Sequence, residues 1–591
     1  MRLNRALLRP LQNREGMALL FVLLVAAAVL VLALAAVTMA GNANLITLYE
    51  ERQDEMEAVA DGGLELARAR LNGTANLFPD TGYVTLENGV TVLDASGTAI
   101  PGVKRYTYAG PIGVATGQFG IFGSIVSVAQ WQNGDRVVRR GDIVQESFAK
   151  YAYFTDVEPA SIAFGGGDQI SGPVHTNDVL KIYNTRATFR GPGIVTTAKY
   201  ISGKQYGTFV EGYEENAARI ELPETAELDK LRGYAAEGGT AFTAPSGGSA
   251  NDARIRIEFV SIDLNGDLDA ADPDEGFFRV YTSNRADWLM ATQPGAGWPS
   301  DENCGTPIAG GGTLVPNNVV GNSAAKRNVM KQANSRCYLG GAPELNPGGA
   351  FMGVTPGNKG QWLARGFNLS GAPPTALTLR PDYAYLFPLS RRFNPNFKGV
   401  VHVTGRVGVS GVLRGRVTLA ATDDIFILDD LTYANGPGGG NCADILGLFG
   451  ASDVRVADNA INAPQQPDGP NTTYYGYDDT GSEFIHAVVL ALNQFTADNY
   501  DSGATATQPC EATSWGRGCL YLSGGVIQET RGGVGTTNGT GYLKRYAYDA
   551  CAYSNPPPYF PTTGRFSRSR YYEVDPSGFD VRAFFARWTA G

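Results

Sequence analysis

The chain has 591 residues, a formal net charge of −10, 75 glycines, 28 tyrosines and only 18% charged residues. This length exceeds a single hydrophobic core, so about two to four domains are expected, and the glycine-rich, charge-poor composition favours an all-β bulk. The negative charge excludes polyanion binding over the whole surface and restricts any such binding to a local basic patch.

A basic segment followed by a long apolar run opens the chain. No residue from Met17 to Ala40 is charged, and a helix over these roughly 24 residues is about 36 Å long, enough to span a bilayer. Arginines precede the run and acidic residues follow it, which places the N-terminus in the cytoplasm. A signal peptide, a plain membrane anchor and a type IV prepilin all begin in this way. The run is long for a signal peptide, whose apolar region spans about 7–15 residues.

The residues after the apolar run favour the prepilin interpretation. Beyond Asn42 the chain contains no proline as far as Leu71, and apolar residues recur at three- and four-residue spacing, which predicts a one-sided helix. The recurring positions are Tyr49, Met56, Val59, Ala60, Gly63, Leu64, Ala67 and Leu71. Such a helix suits a subunit whose first half lies in a membrane or a filament core, while its second half carries a globular head.

Two motifs in this segment resemble the N-terminus of PilX-type minor pilins. They are Gly16-Met17-Ala18-Leu19 before the apolar run and Ala60-Asp61-Gly62-Gly63-Leu64-Glu65-Leu66-Ala67 after it, so the resemblance covers roughly residues 14–72. It implies that a prepilin peptidase cleaves between Gly16 and Met17. It also implies a protein held in the inner membrane before assembly, which then joins other pilins in an extracellular pilus.

The chain departs from the major-pilin pattern at the fifth residue after this cleavage site. Major pilins have a glutamate there, which neutralises the N-terminal ammonium of the neighbouring subunit, whereas this chain has Phe21. A subunit without that carboxylate cannot satisfy the amine of a subunit ahead of it. We therefore predict a position at the pilus tip.

The remaining chain predicts an α+β pilin, with the long helix on an antiparallel sheet, that carries a large all-β, β-solenoid-like head. Alternating strands around the Asn133-Gly134 turn predict the sheet, and very short apolar segments between Gly and Asn predict solenoid rungs, with a β-sandwich as the alternative. The predicted segments are a leader (1–16), the helix (17–73), the pilin sheet (74–158), the solenoid-like body (159–205 and 396–460), an inserted binding module (206–395), and a C-terminal β-rich region with a short terminal helix (461–591).

Three motifs outside the helix resemble a family of large pilin-like proteins with solenoid bodies. They are Ile170–Asn177, Asp429–Tyr433 and the tyrosine- and proline-rich run from Gly541 to Pro561. This resemblance implies a pilus-tip subunit that receives DNA during natural transformation. The motifs are of a structural rather than a catalytic type.

Six cysteines, all beyond residue 300 in the exported part, indicate disulfides. We predict the pairs Cys304–Cys337 and Cys510–Cys519, and leave Cys442 and Cys551 open. The three histidines are too scattered to suggest a zinc centre, and no motif of catalytic residues is present, so we expect no enzyme activity.

An acidic loop predicts a calcium site. Oxygen-bearing residues stand at its positions 1, 3, 5, 7 and 12, namely Asp263, Asn265, Asp267, Asp269 and Asp274. That spacing suits a hard cation enclosed by a tight loop, although the glycine lies at position 4 rather than 6. A solvated acidic turn is the alternative, and no other cofactor is indicated.

Basic residues interleaved with aromatic ones are the candidates for DNA binding, since phosphates need Lys or Arg and unstacked bases need ring faces. The candidates are Arg391, Arg392, Lys398, Lys544, Arg545, Tyr546, Arg565, Arg568, Arg570 and Tyr571. The alternative for each cluster is a strand that exposes its arginines and packs its tyrosines. For the whole protein, the alternative to DNA uptake is a tip adhesin or a structural initiator that binds surfaces or other minor pilins.

Overall fold

The described residues fall into two compact units. The computed structural model describes residues 14–74, 76–113, 117–247, 253–267, 269–282, 361–379, 383–438, 442–457, 482–498, 500–501, 510–511, 518–536 and 538–589, with short strands at 305–306, 315–316, 344–345, 351–352, 467–468 and 473–474. The first unit contains Met1–Gly113, Gly123–Ile143 and Arg568–Gly591, and the second contains Val114–Phe122 and Val144–Ser567.

Helices are few and strands are many. The α-helices are α1 (Arg14–Gly73), α2 (Ala226–Glu237), α3 (Thr375–Thr378), α4 (Ala550–Ser554) and α5 (Val581–Thr589), and the 3₁₀-helices are Phe148–Lys150, Lys204–Tyr206 and Tyr383–Tyr385. The strands are β1 (Val84–Leu93), β2 (Ala99–Pro111), β3 (Phe122–Trp131), β4 (Arg136–Ser147), β5 (Tyr153–Val157), β6 (Asp168–Ser171), β7 (Val174–Thr176), β8 (Leu180–Lys181), β9 (Ala187–Arg190), β10 (Val195–Thr197), β11 (Ile201–Ser202), β12 (Gly207–Phe209), β13 (Tyr213–Glu215), β14 (Ala241–Thr243), β15 (Ile255–Ser261), β16 (Gly276–Thr282), β17 (Gly305–Thr306), β18 (Val315–Pro316), β19 (Glu344–Leu345), β20 (Phe351–Met352), β21 (Gln361–Trp362), β22 (Phe387–Pro388), β23 (Val400–Thr404), β24 (Val407–Leu413), β25 (Arg416–Ala421), β26 (Ile425–Tyr433), β27 (Ile445–Gly450), β28 (Val454–Val456), β29 (Pro467–Asp468), β30 (Thr473–Tyr474), β31 (Glu483–Ala491), β32 (Phe495–Ala497), β33 (Gly518–Thr530), β34 (Tyr542–Tyr548) and β35 (Thr562–Val574).

The predicted long helix is confirmed as α1, which has two different halves. Side chains from Met17 to Glu51 are all exposed, although most of them are apolar. In the second half, Met56, Val59 and Ala60 are buried against the sheet, because apolar residues at three- and four-residue spacing share one face of a helix. Among the described residues, α1 is the one helix long and apolar enough to cross a membrane.

The sheet of the first unit has the strand order β1-β2-β3-β4-β35, in which β1 and β2, and β2 and β3, pair antiparallel. Alternate residues on its strands face opposite sides: Val103 and Ala129 pack on α1, whereas Val126 and Val128 pack with Phe585 of α5. Helix α1 approaches closely at Gly63, where an added Cβ would lie 2.2 Å from Ser127 Oγ. The predicted antiparallel sheet beneath the long helix is thus confirmed.

The last strand of this sheet corrects the predicted domain boundaries. Strand β35 and helix α5 come from the C-terminus, yet Arg568–Gly591 belongs to the first unit. The sequence interpretation had assigned the pilin sheet to 74–158 and placed the C-terminal residues in a separate region. That division was wrong because the local alternation of β35 does not reveal which distant strand it pairs with.

The second unit is built from rows of strands in parallel register. One row runs β14-β23-β25-β27-β31-β33-β5-β7-β10-β13. A second runs β15-β24-β26-β28-β32, and a third runs β33-β34-β6-β9-β12. The all-β head is thereby confirmed, and parallel stacking is what a solenoid requires. The described strands do not close on themselves, so the solenoid itself stays a prediction.

The rows also show where the predicted insertion 206–395 belongs. Strands β12 to β16 and β22 lie within its bounds, and all of them pair into the same large sheet. Residues 206–282 and 387–388 therefore contribute to the body rather than to a separate module, which corrects the predicted boundaries. Most of residues 283–360 lie outside the described residues.

Candidate functional site

The segment predicted to be cleaved begins outside the described residues, and α1 starts just before the cleavage position. Residues 1–13 are not described, whereas Gly16 lies within α1. Met17 and Phe21 are both exposed. The fifth position after Gly16 thus presents an apolar ring to its surroundings, and a chain that packs against it meets no carboxylate there.

The basic cluster on β34 is buried, which contradicts its predicted role in DNA binding. Lys544 is 7% exposed and Tyr546 is 3% exposed. The Lys544 ammonium lies 3.2 Å from Asp168 Oδ2, and burial lowers the pKa of Lys544 against the opposing effect of that carboxylate. Burial likewise raises the pKa of the Tyr546 hydroxyl. Neither side chain can reach a phosphate or a base from outside.

Arg545 faces the opposite side of β34 but is also held in place. Its Nε and Nη2 atoms each lie 3.0 Å from a carboxylate oxygen of Glu511, in the forked geometry that arginine favours with carboxylates. Little of its side chain is exposed. The prediction was wrong for all of β34, because this strand lies between β33 and β6.

The second predicted cluster remains at the surface of the second unit. Arg391 donates to the Phe397 carbonyl at 3.0 Å and to Gln118 Oε1 at 2.8 Å. Arg392 is exposed and Lys398 is partly exposed, and they pair with acidic side chains, at 2.6 Å to Asp274 and 3.5 Å to Glu237 respectively. Exposed ion pairs are worth only about 0–1 kcal/mol, so a phosphate could compete for these two cations.

The third cluster is divided between the two units. Arg565 belongs to the second unit and donates to the Arg219 carbonyl at 2.6 Å. Arg568, Arg570 and Tyr571 belong to the first unit and lie on its edge strand β35. Three of the ten candidates therefore lie in the first unit and the other seven in the second.

Two of the residues on β35 contact helix α1. Arg568 Nη1 lies 3.3 Å from Glu65 Oε1, and the Tyr571 hydroxyl donates to Asp61 Oδ1 at 2.8 Å. Desolvation and this hydrogen bond raise the pKa of Tyr571 to about 12. Arg570 is exposed and makes no ion pair with any residue that the structure describes. Of Arg568 and Arg570 on β35, Arg570 is thus the one without an ion pair among the described residues.

The acidic loop lies at the tip of the hairpin formed by β15 and β16. Carboxylates of Asp263, Asp267 and Asp269 each accept at least one backbone N–H of the loop, and Asn265 donates its side-chain amide to Asp267 at 3.0 Å. Four of the five predicted ligands therefore take part in hydrogen bonds within the loop, and they carry the oxygen atoms that calcium prefers.

The fifth predicted ligand, Asp274, has other partners. Its carboxylate accepts from Ser390 Oγ and pairs with Arg392. Two acidic residues that the sequence interpretation omitted take part in the loop instead: Asp272 accepts from Asn265 at 2.8 Å, and Glu275 accepts the N–H of Asp272 at 2.9 Å. Burial, with Asp272 and Asp263 nearby, raises the pKa of Glu275. The spacing rule missed them because it samples only selected loop positions.

Two disulfides lie in the described part of the chain. Cys510 pairs with Cys519, as predicted, and Cys442 pairs with Cys551, the two residues that the sequence left open. Cys304 and Cys337 lie outside the described residues. Among the described residues, the only group of side chains close enough together to hold a metal ion is Cys510, Glu511 and Cys519. Its two sulfurs are already bonded to each other, so the group provides no thiolate ligands.

The fold defines a class of protein. A long N-terminal helix on an antiparallel sheet, combined with a large all-β head, is a pilin-like architecture. No protein-family model matches the chain, and no curated protein matches it. Among solved structures, the chain is similar to the competence-associated pilin ComZ from Thermus thermophilus, with 13% identity over 88% of this chain and 96% of that chain and a TM-score of 0.24.

Proposed function

We propose that this protein is a minor type IV pilin. The proposal rests on one observation: α1 exposes its apolar residues from Met17 to Tyr49 and buries one face of its second half on the first sheet. Each buried leucine or valine side chain contributes about 1.5–3 kcal/mol, so the exposed half needs a bilayer or a bundle of other helices. The inner membrane provides this bilayer before assembly, and the helices of other pilins provide the bundle within the filament.

The tip position is part of this proposal. A prepilin peptidase cleaves after Gly16, which makes Phe21 the fifth residue of the mature subunit. With no carboxylate there, the subunit cannot neutralise an amine ahead of it. Subunit-specific gold labelling should therefore mark pilus ends.

Phe21→Glu should move part of the label onto the shaft, because the new carboxylate can pair with the amine of a neighbouring subunit. Phe21→Leu is the matched control, since it keeps the position apolar, and its label should stay at the ends. Label along the whole shaft in the unmodified protein would contradict the tip position.

We propose further that the head binds extracellular DNA for natural transformation. The support is the set of basic and aromatic side chains that remains at the surface after the β34 cluster is removed. That set consists of Arg391, Arg392, Lys398, Arg565, Arg568, Arg570 and Tyr571. The proposal includes no catalytic role.

DNA binding by the purified full chain in detergent should weaken steeply as salt rises, because phosphate contacts release counterions. Arg392→Ala with Lys398→Ala should lower the salt slope by about two, roughly one per phosphate contact. Lys230→Ala is the control, since Lys230 is an exposed cation on α2 outside the candidate set. Affinity that does not change between low and high salt would count against DNA binding.

The alternative is that the head acts as an adhesin or as a structural initiator. Transformation frequency and surface attachment should be measured in the same deletion strain. Loss of transformation with normal attachment supports DNA uptake, whereas loss of attachment with normal transformation supports adhesion.

We also propose that the β15–β16 loop binds calcium. The ligands are the predicted Asp263, Asn265, Asp267 and Asp269, with Asp272 joining them, while Asp274 holds Arg392. Calorimetry on the full chain should show heat of binding at millimolar calcium. Asp267→Asn should weaken binding by about tenfold or more, because calcium affinity depends on ligand charge, whereas Asp80→Asn on the first unit should leave it unchanged. No heat at millimolar calcium would contradict the site.

A further inference from the structure

One end of the stacked strands in the second unit is open. Strand β13 pairs with β10, and β12 pairs with β9; neither has a second partner among the described strands. Residues 203–215, which contain both strands, are described in full. An edge of this kind presents unpaired backbone N–H and C=O groups, which another strand can bind.

Two ladders of interior side chains run to this end and stop there. In one, Tyr153, Val174, Val195 and Tyr213 occupy equivalent positions on successive strands. In the other, Ile170, Phe189 and Phe209 do so, and the rings of Phe189 and Phe209 stack with centroids 5.2 Å apart. Members within the stack are almost fully buried, but Tyr213 is 44% exposed. No described strand continues the ladder beyond Tyr213, whose ring has the Lys204 ammonium over it at 5.3 Å from the centroid.

The exposed surface of this last turn is partly apolar rather than wholly polar. Repeat proteins end in capping repeats with a polar outer face, whereas here Tyr206 and Val210 are exposed beside Tyr213, with Val210 at 63%. Natural edge strands are also protected by lysines or prolines. The one lysine of this last turn, Lys204, is paired with Glu215 at 2.9 Å.

The charge of the last turn indicates what the end can bind. With Lys204 and Glu215 neutralising each other, Glu211 and Glu214 leave two negative charges. Glu214 is exposed and follows Tyr213 directly on β13. A second copy of this chain, related by a two-fold axis, would bring the same acidic edge against itself, and like charges facing each other across two strands are destabilising.

We propose that this open end binds an extended segment of another protein by strand addition, and that this segment alternates apolar side chains with Lys or Arg. An apolar side chain of the segment covers Tyr213 and continues its ladder. The next residue, a Lys or Arg, lies opposite Glu214. Backbone hydrogen bonds supply affinity in such complexes, and the alternate side chains supply specificity.

The test uses the purified full chain in detergent and a short acetylated peptide of alternating Val and Lys, with a Val and Glu peptide for comparison. The Lys peptide should bind and the Glu peptide should not. Glu214→Lys and Tyr213→Ser should each weaken binding by about tenfold, since the first puts like charges opposite each other and the second removes the apolar contact. Both positions are exposed, so neither change removes a buried contact.

Matched controls separate local binding from general attraction to an acidic protein. Glu221→Lys makes the same charge change at an exposed carboxylate, and Tyr553→Ser removes another exposed ring; each should alter affinity by less than about twofold. Failure of the Lys peptide to bind, or equal binding by all four variants, would overturn the proposal. So would sedimentation showing that the chain dimerises through this end and that Glu214→Lys changes the dimer.

Discussion

Replacing Arg531 by methionine should lower the free energy of unfolding by about 3–5 kcal/mol, the usual effect of removing one partner from a buried ion pair. The Arg531 side chain is 1% exposed, and its Nη1 lies 3.0 Å from Glu158 Oε2, which is fully buried. Nearby, Lys544 and Asp168 form a second buried pair. These two cations and two anions cancel, so the loss of Arg531 leaves one uncompensated negative charge inside the protein.

The measurement is chemical denaturation of the full chain in detergent. Arg570→Met is the matched control, because Arg570 is exposed, and it should change stability by no more than about 0.5 kcal/mol. The double variant Arg531→Met with Glu158→Met should be more stable than Arg531→Met alone, since it removes the orphaned charge. A double variant less stable than the single one would show that packing, rather than charge, determines the effect.

Acidification should destabilise the head through His175. Its ring nitrogens lie 2.8 Å from Thr196 Oγ1 and 3.0 Å from Asn177 Oδ1, and the ring stacks on Phe154 at 5.3 Å. Burial lowers the pKa of His175 to about 4, whereas an unfolded histidine has a pKa of about 6.5. The folded state thus binds the proton less well than the unfolded state.

The direction of the pH effect follows from that difference. The contribution of neutral His175 to the free energy of unfolding is fully present above about pH 6.5. It is lost as pH falls towards 4, by up to about 3 kcal/mol. Burial also lowers the pKa values of His402 and His486 to about 4, so all three histidines act in the same sense. Burial raises the pKa values of Glu275, Asp453 and Asp549. These carboxyl groups bind protons more readily in the folded state, so their protonation on acidification stabilises it and opposes the effect of the histidines.

Comparison of variants isolates the contribution of His175 to the pH dependence of the unfolding free energy. Unfolding free energies at pH 7 and pH 5 should differ less in His175→Gln than in the unmodified chain, because glutamine keeps a donor and an acceptor but does not titrate. Lys230→Gln, an exposed change, should leave the pH difference as it was. An unchanged pH difference in His175→Gln would contradict the assignment.

Features that depend on neighbours along the chain were predictable from the residues. The apolar run, the spacing of Met56, Val59 and Ala60 and the alternation in β2 and β3 specify a long two-part helix on an antiparallel sheet. The Asn133-Gly134 turn between β3 and β4 was recognisable for the same reason, since helix faces, strand faces and tight turns are all local patterns. The Cys510–Cys519 pair likewise joins residues close in the sequence.

Features that depend on distant partners needed the tertiary structure. Lys544 and Tyr546 have the alternation of a surface strand, but pairing of β34 with β33 and β6 buries them, and Lys544 then meets Asp168 far away in the sequence. For the same reason β35 joins the first sheet, and Tyr213 is exposed because no described strand pairs with the second edge of β13. The sequence of a strand indicates which of its residues share a face. The packing of the whole chain decides which strand lies beside it.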